Sequence, residues 1–217
     1  KRREFVITDP TTPAPWVNYI TNGLYHGLVS HVGGGFSFYR SPRDNRITRW
    51  RYNSLPMDRP GRYVYVRDAD SGDYWSLTWQ PTALKVSNYE CRHGMNYTTF
   101  KGRCLSIASE MTCFVPSGDS CEIWWVKLRN TSKRPRRLQV FGYVELCLGH
   151  ALVDLINQPN DQHFNDVIYL NDRQLLMASK RYWVTYNHAT VAQPNQEWPY
   201  WVFMANTLPV TGFDGSR

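Results

Sequence analysis

The chain has 217 residues, of which 42% are hydrophobic, so it is long enough and apolar enough to bury a substantial core. Its 25 Lys and Arg residues outnumber its 18 Asp and Glu residues, but the basic residues are scattered among aromatic ones, which argues against a nucleic-acid-binding patch. No segment reaches the roughly 18 apolar residues of a membrane span and no signal peptide is visible, so the sequence predicts a cytoplasmic protein without a membrane partner.

In chain order, most segments alternate apolar and polar residues with a period of two, which predicts β-strands. The clearest examples are residues 63–67, 121–129 and 138–146. Turn-forming residues separate the predicted strands, at positions 22–23, 59–61, 70–73, 116–119 and 130–135.

Helical periodicity is weak throughout the chain. The best candidate, residues 148–156, is short and is closed by Pro159, so we expect at most short helical turns. Many antiparallel strands with aromatic inner faces favour sheet-on-sheet packing. The sequence therefore predicts an all-β fold, a large antiparallel β-sandwich that forms one domain over residues 1–217.

Three consecutive glycines, Gly33 to Gly35, precede the aromatic residues Phe36, Phe38 and Tyr39. Because glycine adopts backbone angles that other residues avoid, this triplet predicts a bulge or a sharp break in a strand. No helical pattern follows, which argues against a phosphate-binding glycine loop. We expect the strand to bend here so that the aromatic rings enter the core.

The cysteines and histidines do not have the spacing of metal ligands. The five cysteines contain no CxxC pair and lie among apolar residues, which favours reduced, buried thiols. His26 and His31 are five residues apart and would point to opposite faces of a strand. We expect no metal site and no bound cofactor.

Catalytic constellations are equally weak. Carboxylates for glycosidic chemistry are available at positions 68, 70, 73 and 90, but three of them lie in a predicted turn. Cys91 and His93 share a strand face without an orienting partner, and no GxSxG motif is present. The 9 Trp, 14 Tyr and 9 Phe residues suit carbohydrate stacking, although aromatic residues in sandwiches are more often core.

Several long segments resemble the N-terminal domain of the glycoside phosphorylases of glycoside hydrolase family 94. These segments follow the family order over nearly 150 residues and include the words "FVPSGDSCEIWWVKLRNTS" and "FGYVELCL"; they are Arg3–Ile20, Gly33–Pro81, Tyr89–Thr98, Phe114–Ser132 and Phe141–Leu148. The resemblance becomes weaker after Gly149. It implies a large β-sandwich that a helical linker and an (α/α)6-barrel catalytic domain follow in the complete protein, so this chain is expected to be a fragment.

The family resemblance also implies an activity for the complete protein. Such enzymes cleave a β-glucosidic bond with inorganic phosphate and inversion, and one aspartic acid of the barrel protonates the leaving oxygen. The resemblance therefore implies no catalytic residue in residues 1–217. It implies phosphate as co-substrate, a β-linked oligosaccharide such as cellobiose or a cellodextrin as substrate, and a homodimer.

The resemblance implies two sets of site residues in this domain. In family dimers a loop of the sandwich domain contributes to the acceptor side of the neighbouring active site, and the matching positions here are Asn157, Gln158, Asn160 and Asp161. Gln158-Pro159 departs from the usual family wording at this place. Forked guanidinium donors suit interdomain or dimer contacts, which are expected at Arg40, Arg43, Arg46, Arg49 and Arg51.

Two other classes of function stay open at this stage. A stand-alone carbohydrate-binding module would bind β-glucans through its aromatic residues without any further domain. A basic nucleic-acid-binding protein would show an affinity that decreases steeply with salt. A noncatalytic domain of a glycoside phosphorylase explains the most sequence features.

Overall fold

The computed structural model describes residues 3–50, 61–181 and 197–216, without the side chains of residues 157–159. Arg51 and most of the predicted turn at 59–61 lie outside the described residues. No helix in the described part of the chain is long and apolar enough to cross a membrane. The chain divides into two compact units, residues 1–40 with 50–145 and residues 41–49 with 146–217, here called unit 1 and unit 2.

Unit 1 is built from antiparallel strands. One five-stranded sheet has the order β1-β8-β9-β10-β11, a second sheet has the order β12-β6-β7, and β2, β3 and β4 pair in sequence. Their bounds are β1 Phe5–Ile7, β2 Val17–Thr21, β3 Tyr25–Ser30, β4 Gly35–Tyr39, β6 Arg62–Asp68, β7 Tyr74–Ser76, β8 Ser87–Gly94, β9 Tyr97–Cys104, β10 Ile107–Phe114, β11 Ile123–Asn130 and β12 Leu138–Val144.

The strands of unit 1 confirm the alternation that the sequence shows. In β11, residues 124, 126 and 128 are partly buried, while residues 123, 125 and 127 are exposed. In β6 the alternation is incomplete, because both Tyr63 and Val64 are buried. β6 pairs with β12 in unbroken register from Leu138 opposite Asp68 to Val144 opposite Arg62. The predicted turns at 22–23, 70–73, 116–119 and 130–135 each connect two of these strands.

The core of unit 1 lies between its sheets. The most deeply buried apolar side chains come from the inward faces of several strands, and they include Ile20, Tyr63, Val66, Trp75, Phe100 and Ile107. Asn18 of β2 donates its side-chain amide to the carbonyls of Gly94 and Tyr97, each at 2.9 Å. These two hydrogen bonds hold β2 against the β8–β9 hairpin and add to the packing of apolar side chains between the sheets.

The glycine triplet forms the turn of the β3–β4 hairpin. Gly33 and Gly35 have φ values of +100° and +128°. A Cβ on Gly35 would lie 1.9 Å from the carbonyl oxygen of Leu28, so only glycine fits this approach. Phe36 is buried, whereas Phe38 and Tyr39 are only partly buried. The predicted strand break is therefore a tight hairpin, and only the first ring enters the core fully.

Unit 2 contains a pair of strands, a three-stranded sheet and the α-helix. β5 (Arg46–Thr48) pairs with β13 (Leu146–Gly149), and β14 (Asn165–Leu170), β15 (Leu175–Lys180) and β16 (Val202–Ala205) form an antiparallel sheet. Helix α1 (Ala151–Asp161) and a 3₁₀ turn (Gln162–Phe164) connect β13 to β14. A small core in unit 2 contains Leu148, Ala178 and Trp198.

The described residues confirm the all-β class. The helix is nevertheless longer than the short turns that we expected, because α1 has eleven residues and continues through Pro159. The segment 157–161, expected as a loop, therefore forms the last turns of a helix. The charged contacts described below explain why this helix forms despite its weak periodicity.

Candidate functional site

The segment predicted to contribute to sugar binding lies at the C-terminal end of α1 in unit 2. The backbones of Asn157 and Gln158 belong to the helix, while their side chains lie outside the described residues. Asn160 is exposed and Asp161 is buried. Within this segment, Asn160 is therefore the exposed residue among those whose side chains are described.

The start of α1 is held by the backbone and by an unusual cap. Leu148 and Gly149 have positive φ values of +53° and +145°, which turn the chain sharply from β13 into the helix. His150 precedes the helix, and its Nδ1 accepts a hydrogen bond from the Leu152 amide at 3.2 Å. The Ala151 amide donates to the Arg43 carbonyl at 2.7 Å. Two amides of the first turn thus find acceptors.

A buried ion pair fixes the first turn of α1. The Arg49 Nε lies 2.9 Å from both carboxylate oxygens of Asp154, and a guanidinium Nη2 donates to the same group. Both side chains are almost fully buried. Arg49 also reaches Gln162 at 3.5 Å, just beyond the helix. Because a forked, buried pair depends on geometry, this contact orients α1 against the strand that Arg49 follows.

A second buried ion pair lies at the other end of α1. Lys180, the last residue of β15, donates its ammonium group to the Asp161 carboxylate, and both side chains are buried. The Asp161 carboxylate is therefore paired with a buried cation. This contact holds the end of the helix on the sheet.

The titratable groups around α1 favour neutral or paired states. Burial, followed by the neighbouring Asp154 carboxylate, raises the pKa of Cys147 to about 12, so its thiol stays protonated. Burial lowers the pKa of His150, with Asp44 opposing this effect from 3.9 Å. Burial would raise the pKa of Asp44, but hydrogen bonds from Arg43 and Ser41 lower it overall.

The outer side of α1 is apolar. Leu152, Leu155 and Ile156 are spaced as neighbours on one helix face and have exposed fractions of 50%, 39% and 82%. Asn160 follows one turn after Ile156 and is also exposed. This face can bind a partner or an apolar ring, and its described side chains contain no acid, base or nucleophile.

The described arginines of the predicted set belong to both units and have different surroundings. In unit 1, the exposed Arg40 lies over the Tyr39 ring at 5.1 Å. In unit 2, Arg43 is exposed and pairs with Asp44 at 3.0 Å, whereas Arg46 is buried and donates to the Pro42 carbonyl at 3.1 Å. Arg49 is buried on Asp154, as described above.

The carboxylates considered for acid catalysis all have partners in unit 1. Asp68 is buried and pairs with Arg136, Asp70 pairs with Arg137 at 3.1 Å, and Asp73 accepts from Ser71 at 2.7 Å. Hydrogen bonds from Arg92 lower the pKa of Glu90. Each of these acids is therefore engaged in a structural contact.

The Cys91 and His93 pair cannot act as a nucleophile and base. Its Sγ lies 3.9 Å from both ring nitrogens of His93, and burial strongly raises the pKa of the thiol. Burial lowers the pKa of His93. All five cysteines are free thiols, as the sequence predicted. Among the described residues no group of three or more His, Cys, Asp or Glu side chains could hold a metal ion.

The sequence interpretation missed the buried charges that organise each unit. In unit 1, Glu122 accepts from Arg62 at 2.7 Å, from Ser37 at 2.7 Å and from Trp124. In unit 2, Asp154 with Arg49 and Lys180 with Asp161 form the corresponding buried ion pairs. The sequence contains one indication that Glu122 is buried, because this acid stands directly beside an aromatic and apolar run. Nothing in the sequence indicated the burial of Asp154 and Lys180, since their partners are distant along the chain.

The β-strand architecture agrees with the comparisons. A family model described as glycosyl hydrolase 94, supersandwich domain, matches residues 3–217. A diacetylchitobiose phosphorylase of Vibrio furnissii is 46% identical over 154 residues, which covers 70% of this chain and 19% of the relative. The corresponding enzyme of Vibrio proteolyticus is 38% identical over 217 residues, 99% of this chain and 25% of the relative.

A solabiose phosphorylase of Paenibacillus borealis is 33% identical over 219 residues, which covers 99% of this chain and 26% of the relative. The chain therefore belongs to the glycosyl hydrolase 94 family and forms its supersandwich domain. This confirms the resemblance and the β-sandwich class. The chain spans about a quarter of the length of the relatives that match it from end to end.

Proposed function

We propose that residues 1–217 are the noncatalytic supersandwich domain of a glycoside phosphorylase. The match of the family model to residues 3–217 carries this proposal, because it runs through both units without interruption and so favours one domain. The partnered state of the acids and the buried thiol at Cys91 support a noncatalytic role. The complete enzyme would act in the cytoplasm with inorganic phosphate as co-substrate and no cofactor.

The proposed reaction is the reversible phosphorolysis of a β-linked disaccharide with inversion, yielding an α-sugar 1-phosphate. We expected cellobiose or a cellodextrin from the sequence. The two Vibrio relatives are named as diacetylchitobiose phosphorylases, and their identities favour a disaccharide of N-acetylglucosamine instead. We therefore place diacetylchitobiose first and cellobiose second among the substrates.

The substrate proposal is tested on the complete gene product that contains this chain. The protein is incubated with inorganic phosphate and diacetylchitobiose, cellobiose or laminaribiose, and the sugar 1-phosphate is measured by phosphorus NMR. We expect N-acetylglucosamine 1-phosphate from diacetylchitobiose and a slower or no reaction with the other two. Release of free sugar without a sugar phosphate would contradict phosphorolysis, and a preference for cellobiose would reinstate the earlier substrate.

We further propose that the end of α1 contributes to the acceptor side of a neighbouring active site in a homodimer. Asn160 supports this role because it is the exposed polar residue of the segment whose side chain is described. Asn157 and Gln158 belong to the same proposal. Asp161 takes part indirectly, because its contact with Lys180 holds the helix end. Arg40 and Arg43 have exposed guanidinium groups and are proposed as interdomain contacts.

The acceptor role predicts a specific kinetic change. In the synthetic direction, Asn160→Ala is expected to raise the KM for the acceptor sugar by about three- to tenfold, because one neutral hydrogen bond is lost. The KM for the sugar 1-phosphate is expected to stay unchanged. Met95→Ala, in the exposed β8–β9 turn of unit 1, is the control. An unchanged acceptor KM, or a monomer by light scattering, would contradict the proposal.

A stand-alone carbohydrate-binding module is the second candidate, favoured by the exposed aromatic side chains of unit 1, such as Tyr19, Trp125 and Phe141. It predicts that the 217-residue chain binds cellodextrins or chitin oligosaccharides in the absence of other domains. Titration calorimetry with cellotetraose and chitotetraose decides the question. Absence of heat with both sugars removes this candidate.

A further inference from the structure

Strand β12 of unit 1 is an unusual outer strand. Its sequence from Leu138 to Val144, LQVFGYV, contains no charge and no proline. It pairs with β6 in regular register over all seven residues, and among the described strands it stands at the end of the order β12-β6-β7. Long, regular and uncharged outer strands are rarely left open, because their free backbone groups pair with other chains.

Both faces of β12 are exposed. Val140, Phe141 and Tyr143 have exposed fractions of 49%, 48% and 41%. In a strand that forms the edge of a closed core, one face would be buried and the other polar. Here Val140 points to the same side as the fully buried Val66, and it is still half open.

The exposed side of the three-stranded sheet extends this surface. The register places Phe141 beside Tyr65 and Tyr74 beside Arg67. The Tyr65 and Tyr143 rings meet edge to face at 6.1 Å, and Tyr74 is 61% exposed. Arg67 and Gln139, joined at 3.3 Å, bound the surface on one side. We call Tyr65, Tyr74, Phe141 and Tyr143 the β12 face.

The charges around this face argue against a second copy of the same chain. Arg67 lies on the same side of the sheet, opposite Gln139 and Tyr74, and is exposed, and the chain has a formal net charge of +7. Two copies that met through this region would bring like charges together, which costs binding energy. A partner with apolar side chains and a carboxylate rim would instead complement it.

We propose that the β12 face is the docking surface for the part of the phosphorylase polypeptide that lies outside these 217 residues; this rests on the proposed function. Two relatives that match the whole chain are about four times as long, since the chain covers 25% and 26% of them. The occupant is then an apolar surface with acidic side chains at its rim. It covers Phe141 and Tyr143 and removes the open strand from solvent.

The docking is tested by photo-crosslinking in the complete gene product. Phe141→p-benzoylphenylalanine places the reactive group in the β12 face with little change of shape, and Met95→p-benzoylphenylalanine, at a turn residue that is 92% exposed, is the matched control. The expected result is a crosslink from position 141 to a peptide outside residues 1–217 of the same polypeptide, with an unchanged mass on a denaturing gel. A doubled mass would show a second copy and overturn the proposal, as would no crosslink above the control.

A second pair of variants checks the same surface by stability. In the complete protein, Phe141→Asp would bury a charge, so we expect the thermal midpoint to fall by about 5 °C or more. Met95→Asp is expected to change it by about 1 °C or less. Equal midpoints would overturn the proposal. Neither the crosslink nor the thermal midpoint depends on catalysis. A protein that shows the expected crosslink but no phosphorolysis would therefore contradict the proposed reaction and leave the docking proposal intact.

Discussion

At the scale of single residues, the domain depends on buried charges that each have a specific partner. Glu122 with Arg62 in unit 1, and Arg49 with Asp154 and Lys180 with Asp161 in unit 2, are all nearly closed to solvent. A buried pair gains little over an apolar core, but the loss of one partner leaves a charge in an apolar site. Such pairs therefore select one arrangement of the chain more than they add stability.

Gly35 gives a prediction at this scale. Gly35→Ala would place a Cβ 1.9 Å from the Leu28 carbonyl oxygen at a φ of +128°, so the free energy of unfolding should fall by about 3 kcal/mol or more. Gly118→Ala is the control, because its φ is +102° but nothing lies within 4 Å. It should cost about 1 kcal/mol. Urea denaturation measures both, and similar losses would contradict the close approach.

His150 predicts a dependence of stability on pH. Burial lowers its pKa from the model-peptide value of 6.5, so the folded state binds this proton less readily than the unfolded state. Its contribution is fully present above about pH 6.5 and decreases as the pH falls toward the folded pKa. Protonation also removes Nδ1 as the acceptor of the Leu152 amide.

His150→Asn tests this link, because asparagine can accept the same amide without titrating. Between pH 7.5 and pH 5, the variant should lose less stability than the original protein in denaturant titrations. The remaining slope reports other groups that titrate in this range, including His93, whose pKa burial also lowers. Identical pH profiles for both proteins would contradict the assigned role of His150.

At the scale of elements, the strands could be predicted and the helix could not. Residues 121–129 alternate clearly, and β11 forms there with residues 124, 126 and 128 less exposed than their neighbours on either side. Helix α1 contains Asn157, Pro159 and Asn160, which disfavour helices. It forms because Arg49, distant in sequence, binds Asp154 in its first turn. Contacts of this kind leave no local pattern in a sequence.

The dependence of α1 on Arg49 gives a prediction for the element. Arg49→Met leaves the buried Asp154 carboxylate without its cation, so local opening of residues 151–161 should become about 100-fold more frequent, corresponding to about 3 kcal/mol. Hydrogen exchange of peptides from this range measures the change. Arg43→Met removes an exposed pair and should leave the exchange unchanged. Equal exchange in both variants would contradict the role of the ion pair.

At the scale of the whole molecule, the family and the β-sandwich could be predicted from the sequence, because several long segments are specific to this family. The substrate could not, since the side chains of this domain contain no complete sugar pocket in the described residues. The expectation of cellobiose followed the wording of the first 150 residues. The comparison with the Vibrio enzymes shifts it toward diacetylchitobiose.

The five free cysteines predict how the whole molecule reacts with thiol reagents. Cys91, Cys104, Cys113 and Cys147 are buried and only Cys121 is partly open. Burial also raises the pKa of the Cys121 thiol, so the native protein should react with Ellman's reagent slowly and at one site. After denaturation, all five thiols should react with the reagent. Cys121→Ser should abolish the native reaction, and fast labelling of two or more thiols would contradict the described burial.

Strand β1 has a practical consequence for handling the protein. Its three residues, Phe5–Ile7, shield the outer edge of β8, and Glu4 beside it binds Arg92 and Tyr97. Removal of residues 1–7 by a protease would uncover the outer edge of β8 at Cys91, Arg92 and His93, the three residues that pair with β1. Preparations trimmed in this way should clump through that edge during storage, while the intact chain stays dispersed.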